Sequence, residues 1–369
     1  MQVRLEALNL DYGGPAVIDD LNLVIHQGET VVLLGRSGCG KTSTMRSIAG
    51  LEEPTSGRIL IGDDVVFDAA HGKNVPAHRR NVGMVFQSYA VWPHRTVLEN
   101  VSFPLKVRQL GREDVRRKAM SVLETVGLAH LADRSASALS GGQMQRVALA
   151  RSLAMEPSVL LLDEPLSNLD AILRDNLRVE LRRIQQESGL TSLYVTHDQT
   201  EALALADRVA VMEAGRITQL APPMEVYRRP ASASIATFLG VSNVFPVRPG
   251  QGSSARLVDH PLDIAFDGPV LAGKSSVCFR PEAVHLLPPS PAAQAGPNVW
   301  DGTIRVAVYQ GRTIRYQVLL REGSVIDAVV DAADGRLEAI GTPVRVHVSP
   351  AEVLLLPDGV GETPAGENA

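Results

Sequence analysis

Apolar residues in the first 240 positions follow two rhythms. Uninterrupted runs of strand length, at Thr30–Leu34, 159–162 and 192–195, lack polar alternation, which predicts strands buried on both faces of a parallel sheet. Between them the spacing is helical. Leu173, Leu177, Leu181 and Ile184 recur at i, i+4, i+8 and i+11 and stop at Gly189, while Val115, Ala119, Val122, Leu123 and Val126 form a second apolar face closed by Gly127. A Gly-rich turn separates the first run from a helix beginning at Lys41, and residues 88–157 read as mostly helical. Strands alternating with helices predict an α/β fold around a largely parallel sheet.

Beyond residue 240 the helical spacing disappears. Period-two alternation in Ile304/Val306/Val308, Ile314/Tyr316/Val318 and Val344/Val346/Val348 predicts antiparallel strands with one buried face, hence a small all-β domain, read as a barrel. Proline shifts at the same place, with 10 of 23 in the first 240 positions and 13 in the last 129. The expected organisation is an α/β domain over 1–240 with a helical subdomain at about 88–157, then a β domain over 241–356. From Pro357 onward the Gly-, Glu- and Pro-rich run 357–369 predicts a frayed tail.

Composition narrows the function classes. The chain has 369 residues, 45% hydrophobic and 21% charged, which suits two globular domains. The net charge of −5 hides no basic field, since 1–240 carries 26 basic and 27 acidic side chains and 241–369 carries 10 and 14. With aromatics at 4%, a nucleic-acid reader is disfavoured, so any phosphate site must be local. No window approaches the ~18 apolar residues of a spanning helix, and the N-terminus lacks a basic segment followed by an apolar stretch. The expectation is a cytosolic protein that does not cross a bilayer by itself. Cys39 and Cys278 are expected as free thiols. The basic cluster Lys106, Arg108, Arg112, Arg116, Arg117 and Lys118 reads as a solvated face partnered by Glu113 and Asp114.

Candidate chemistry starts at Gly35-Arg36-Ser37-Gly38-Cys39-Gly40-Lys41-Thr42, which fits G-x-x-x-x-G-K-[ST] and lies after a strand and before a helix. Glycines there let backbone N–H groups close on a phosphate, Lys41 bridges β and γ oxygens, and the Thr42 hydroxyl can ligate Mg²⁺. Cys39 inside the loop is read either as a reactive thiol or as a spacer. A second element, Asp163-Glu164, ends a buried apolar strand, where ligands bind in open α/β sheets. Asp163 would hold Mg²⁺ through its water shell and Glu164 would polarise the attacking water. Third, Leu139-Ser140-Gly141-Gly142-Gln143 precedes a helix that Ser140 can cap.

Taken in order, these residues resemble an ABC ATPase subunit. The resemblance covers residues 1 to about 240: the phosphate loop at 35–42, Gln87 after Phe86, the Leu-Ser-Gly-Gly-Gln signature at 139–143, Asp163-Glu164, the Ser167-Asn168-Leu169-Asp170 segment, and His197 in Val195-Thr196-His197-Asp198. It implies an α/β P-loop NTPase domain and ATP with Mg²⁺ as cofactors. Nucleotide binding is implied for Tyr12 (adenine stacking), Gly35, Ser37, Gly38, Cys39, Gly40, Lys41, Thr42, Ser43, Ser140, Gly142, Gln143 and Asp170. Metal contact is implied for Thr42, Gln87 and Asp163, and catalysis for Glu164, His197 and Gln87. It further implies a homodimer with ATP sandwiched between the phosphate loop of one copy and Ser140 and Gly142 of the other, Asp170 bridging the two.

Three uses of such an ATPase compete: import through a separate membrane permease, action on ribosomes or DNA, and export. A single phosphate loop and the lack of a sustained heptad run disfavour the second, and the lack of spanning helices disfavours the third. Val277-Cys278-Phe279-Arg280-Pro281-Glu282 and Val308-Tyr309-Gln310-Gly311-Arg312 resemble the OB-like (TOBE) domain of importer ATPases of the maltose, polyamine, iron and sulfate types. That implies a peripheral position on the cytoplasmic membrane face, with permease subunits and, indirectly, an extracytoplasmic solute-binding protein as partners. The segments 88–94 and 238–245 look closer to the polyamine, iron(III) and phosphonate group than to sugar importers, which remain the alternative.

Overall fold

The computed structural model describes residues 1–250, 252–269, 271, 273–289, 296–333 and 337–359. It divides into two compact units, Met1–Val226 and Tyr227–Ala369. In chain order the first runs β1 (Val3–Leu10), β2 (Ile18–Ile25), β3 (Thr30–Leu34), α1 (Lys41–Ala49), β4 (Ser56–Ile61), β5 (Asp64–Asp68), β6 (Lys73–Asn74) and β7 (Val82–Val85). There follow α2 (Val97–Val107), α3 (Arg112–Thr125), α4 (Gly141–Leu153), β8 (Val159–Asp163), α5 (Ala171–Ser188), β9 (Thr191–Thr196), α6 (Gln199–Leu205), β10 (Arg208–Glu213) and β11 (Arg216–Ala221).

These strands make two sheets. One is antiparallel in the order β2-β1-β4-β5-β6; the other runs β11-β10-β3-β9-β8-β7, parallel except for β11. Every residue of β3, β8 and β9 is buried, as continuous apolar runs require. Side chains from both sheets and from Met45 and Ile48 of α1 share one core. Leu161 of β8 sits in it, fully buried. Leu161→Ala should lower the unfolding free energy by about 2–5 kcal/mol, read from urea denaturation; a loss under about 1 kcal/mol would mean the site collapses around the gap.

Helix ends follow local chemistry. Asp170 caps α5, accepting from Leu173 N at 3.0 Å, and Gly189 ends it at φ 58°. Leu177, Leu181 and Ile184 face inward. The stretch 88–157 holds α2, α3 and α4, and Val115, Ala119 and Leu123 form the buried face of α3. Among the described residues no helix is long and apolar enough to cross a membrane.

The division at 226/227 precedes the compositional shift at 240 and falls within α7 (Pro223–Arg228). Physically, the next helix, α8 (Ala233–Phe238), belongs with the β unit: Ala233 and Ala236 pack with Val241 and Cys278. Nine of the second unit's strands follow as β12 (Asn243–Pro249), β13 (Ser254–Leu257), β14 (Asp263–Ala265), β15 (Ser275–Phe279), β16 (Val284–Leu287), β17 (Val299–Tyr309), β18 (Thr313–Leu320), β19 (Val325–Asp331) and β20 (Pro343–Val348). The last is β21 (Leu354–Pro357). They form two antiparallel sheets, β14-β13-β12-β15-β21 and β16-β20-β17-β18-β19, over one apolar core that includes Phe266, Phe279, Trp300 and Tyr316. The unit is a small all-β, barrel-like domain.

Alternation places Ile314, Tyr316 and Val318, and Val344, Val346 and Val348, in that core. On β17 it fails after Ile304. The register slips between the Ile304↔Val318 and Val306↔Gln317 pairs, and Val308 ends up 44% exposed. One extra residue shifts the outer half of the strand to the other face. The tail expectation meets structure only at its start: Pro357 pairs with Ser275 in β21, and the Asp358 carboxylate accepts from Ser276 Oγ at 2.9 Å. Residues 360–369 lie outside the described residues.

Candidate active site

Strand order builds the site. Neighbours β3, β9, β8 and β7 are parallel, so the residues that follow their C-terminal ends emerge side by side: the phosphate loop after β3, His197 after β9, Glu164 after β8 and Gln87 after β7. A cavity of about 560 Å³ lies over these ends, lined by Val17, Ser37, Gly38, Gly40, Lys41, Thr42, Ser43, Gln87, Glu164 and His197.

Glycine is required in the loop. Gly40 has φ 99°, and a Cβ there would meet Val17 O at 2.4 Å. At Gly35 a Cβ would meet Met212 O at 2.4 Å. Lys41 is 6% exposed, and its ammonium donates to Gly35 O at 2.8 Å and Arg36 O at 2.9 Å, so the loop folds around its own cation. The same ammonium donates to Cys39 Sγ at 3.7 Å. The Cys39 thiol is buried in the core beneath the loop, which supports the spacer reading over a reactive thiol.

Thr42 Oγ1 donates to Asp163 Oδ1 at 3.2 Å, and burial pushes the Asp163 carboxyl upward while that hydrogen bond opposes it. Glu164, one residue beyond the strand, takes a left-handed φ of 42° although it precedes Pro165, and its N–H donates to Val195 O at 3.0 Å. A non-glycine residue held there stores about 1–3 kcal/mol of strain. The twist aims its carboxylate into the cavity. Oε1 lies 3.0 Å from His197 Nδ1, and Oε2 accepts from Gln87 Nε2 at 3.2 Å. Gln87 also donates to Ser167 Oγ at 3.3 Å, and Asn168 Nδ2 donates to Gln87 O at 2.9 Å.

The remaining sequence candidates lie outside this cavity. Tyr12 is 67% exposed, its hydroxyl donating to Glu52 Oε2 at 3.0 Å and lying 3.5 Å from Ser43 Oγ. Ser140 and Gln143 form a reciprocal capping box at the start of α4. At Gly142 a Cβ would come within 2.9 Å of Leu173 Cδ2, the end of a flexible side chain on α5, so α4 packs closely on α5 there. Asp170 caps α5. Sequence reading did not single out Val17, which lines the cavity, or Glu201 on α6, and it placed Ser167 only within the segment before α5.

Known proteins resemble this chain over both of its units. A family model described as ABC transporter matches residues 18–167, and a TOBE domain model matches 277–356. The chain is 45% identical over 334 residues to the Fe(3+) ions import ATP-binding protein FbpC of Rhizobium etli, covering 89% of this chain and 91% of that one. It is also 45% identical over 340 residues to the spermidine/putrescine import ATP-binding protein PotA of Acidothermus cellulolyticus, covering 90% and 86%. Among solved structures, CbiO1 of Clostridium perfringens, part of the transporter complex CbiONQ, matches with TM-score 0.56 at 32% identity over 62% of this chain and 90% of that one. A dimeric ATP-binding cassette in a post-hydrolysis state with ADP and Pi matches with TM-score 0.52 at 30% identity, covering 60% and 98%. Identity sustained across nearly the whole length, over both units, means that the chain belongs to the ABC transporter ATPases of the importer type with a C-terminal TOBE domain.

Proposed function

We propose that the protein hydrolyses ATP as a homodimer to drive import of a small solute through separate permease subunits, working at the cytoplasmic face of the membrane. The observation that carries the dimer is the incomplete cavity: the phosphate loop, Gln87, Glu164 and His197 line it, while Ser140 and Gly142 of the same copy do not. In this reading each ATP is closed in by Ser140 and Gly142 of the second copy, where the N-terminus of α4 adds its positive dipole end. Asp170, at the cap of α5, would lie at the same junction.

Within one cavity the roles follow from geometry. Lys41 exchanges its carbonyl partners for β and γ oxygens, and the N–H groups of Gly38, Gly40, Thr42 and Ser43 surround the phosphates. Glu164 accepts the proton of the attacking water, its carboxylate held on one side by Gln87 and on the other by His197. The exposed ring of Tyr12 supplies a stacking face for adenine. Mg²⁺ fits the oxygen donors Thr42, which lines the cavity, and Asp163, 3.2 Å from it, and when bound would neutralise phosphate charge.

An apolar groove of about 440 Å³ in the first unit, with Leu51, Met84, Phe86, Phe103, Val107 and Met155 in its walls, suits a permease segment. Iron(III) or a polyamine is the cargo best supported, since curated relatives of 43–45% identity are named for Fe(3+) and for spermidine/putrescine import, while a phosphonate or similar small solute rests on the segments 88–94 and 238–245 alone. Selectivity itself belongs to the solute-binding protein and the permease. The test is affinity purification from gently solubilised membranes. A multi-spanning membrane protein is expected to co-purify, and in proteoliposomes one loaded solute-binding protein should raise ATP hydrolysis severalfold; co-purification with ribosomes instead would sink the reading.

A further inference from the structure

The turn carrying His197 is fastened on both sides, and the fastening converges on a buried carboxylate. Glu201, on α6, is 2% exposed. Its Oε2 accepts from Thr196 Oγ1 at 2.8 Å and from Tyr194 OH at 2.9 Å, both on β9, whose end precedes His197. Thr196 Oγ1 in turn accepts from Asp198 N at 3.0 Å. One hydroxyl therefore ties the residue before His197 to the residue after it, and Glu201 orients that hydroxyl. Asp198 is held again from outside, with its Oδ1 accepting from Thr200 N and Glu201 N and its Oδ2 3.4 Å from Arg174 Nη1. Arg174 Nη2 also donates to Leu169 O at 3.0 Å, in the segment before α5.

A buried carboxylate is costly, and burial pushes the Glu201 carboxyl upward against the two hydroxyl donors. Helix capping does not explain it. The Asp198 side chain already takes the first N–H groups of α6, leaving Glu201 free to turn back to the strand. His197 itself is exposed, and its imidazole Nδ1 lies 3.0 Å from Glu164 Oε1.

We infer that Glu201 is a positioning residue for hydrolysis, acting through Thr196 to hold the His197 imidazole against Glu164; this rests on the catalytic reading of His197 and Glu164. Glu201→Leu strands two buried hydroxyls and frees the turn. Single-turnover ATP hydrolysis should fall about tenfold with ATP affinity within twofold of wild type. Glu201→Gln keeps a carbonyl oxygen for both hydroxyls and should recover most of the rate. The decisive measurement is a double-mutant cycle with His197→Ala, in which Glu201→Leu should cost less than twofold. Equal losses in both backgrounds, or a wild-type rate for Glu201→Leu, overturn the proposal. Should Glu201→Leu fail to fold, Thr196→Val removes the shared hydroxyl with little change of shape and is run through the same cycle. A His197→Ala rate equal to wild type would overturn the reading of the site itself, an outcome distinct from additive losses.

Discussion

Glu164→Gln is expected to cut ATP turnover by about 10²- to 10⁴-fold while leaving ATP bound, the range that loss of a positioned general base produces. The geometry makes the substitution severe beyond the loss of basicity. Both carboxylate oxygens are engaged, one facing His197 Nδ1 and the other accepting from the Gln87 amide. An amide at position 164 offers a single acceptor, so its NH₂ group must face one of those two partners. Because the nucleotide stays bound while hydrolysis stalls, the ATP-sandwiched dimer should accumulate. Steady-state phosphate release and size-exclusion chromatography with Mg-ATP read the two effects. Turnover within threefold of wild type would remove Glu164 as the base.

Lys41→Ala should weaken ATP binding about 100-fold. Charge-assisted hydrogen bonds are worth about 1.5–3 kcal/mol each, and two phosphate oxygens lose their cation. A second effect opposes this in part, because it destabilises the empty loop rather than the ATP-bound one. The ammonium donates to Gly35 O and Arg36 O, so the alanine variant leaves two loop carbonyls facing a gap where a 6%-exposed cation had been. Lys41→Arg is expected to fail as well, since a planar guanidinium does not fit the pocket of a compact ammonium. Titration with a fluorescent ATP analogue measures both; affinity within threefold of wild type in the alanine variant would show that the loop backbone alone holds the phosphates.

Much of the site was legible because its parts are local. A strand, a glycine turn and a helix with Lys-Thr at its start are adjacent in the chain, and so are the buried strand and Asp163-Glu164. Ser140 was legible as a cap for the same reason, and the capping box with Gln143 is there. What escaped was whatever depends on neighbours distant in sequence. Cys39 could be read as reactive or inert because nothing local says which way its thiol turns. Val308 was assigned to the core because alternation carries no mark of a bulge. Glu201 carries no mark in the sequence, and only the placement of Tyr194 and Thr196 against α6 makes it a buried acceptor.

The order of residues by itself determined the element types, the phosphate loop and the chemistry available at each strand end, since propensity, periodicity and capping act over a few neighbours. Only the tertiary structure decided that β9 lies between β3 and β8, which brings His197 to Glu164 from 33 residues away. It also decided that Ser140 stays outside the cavity. Strand pairing is a competition among hydrogen-bonded partners far apart in the chain, and each strand's sequence records that it will be buried but not which neighbour buries it.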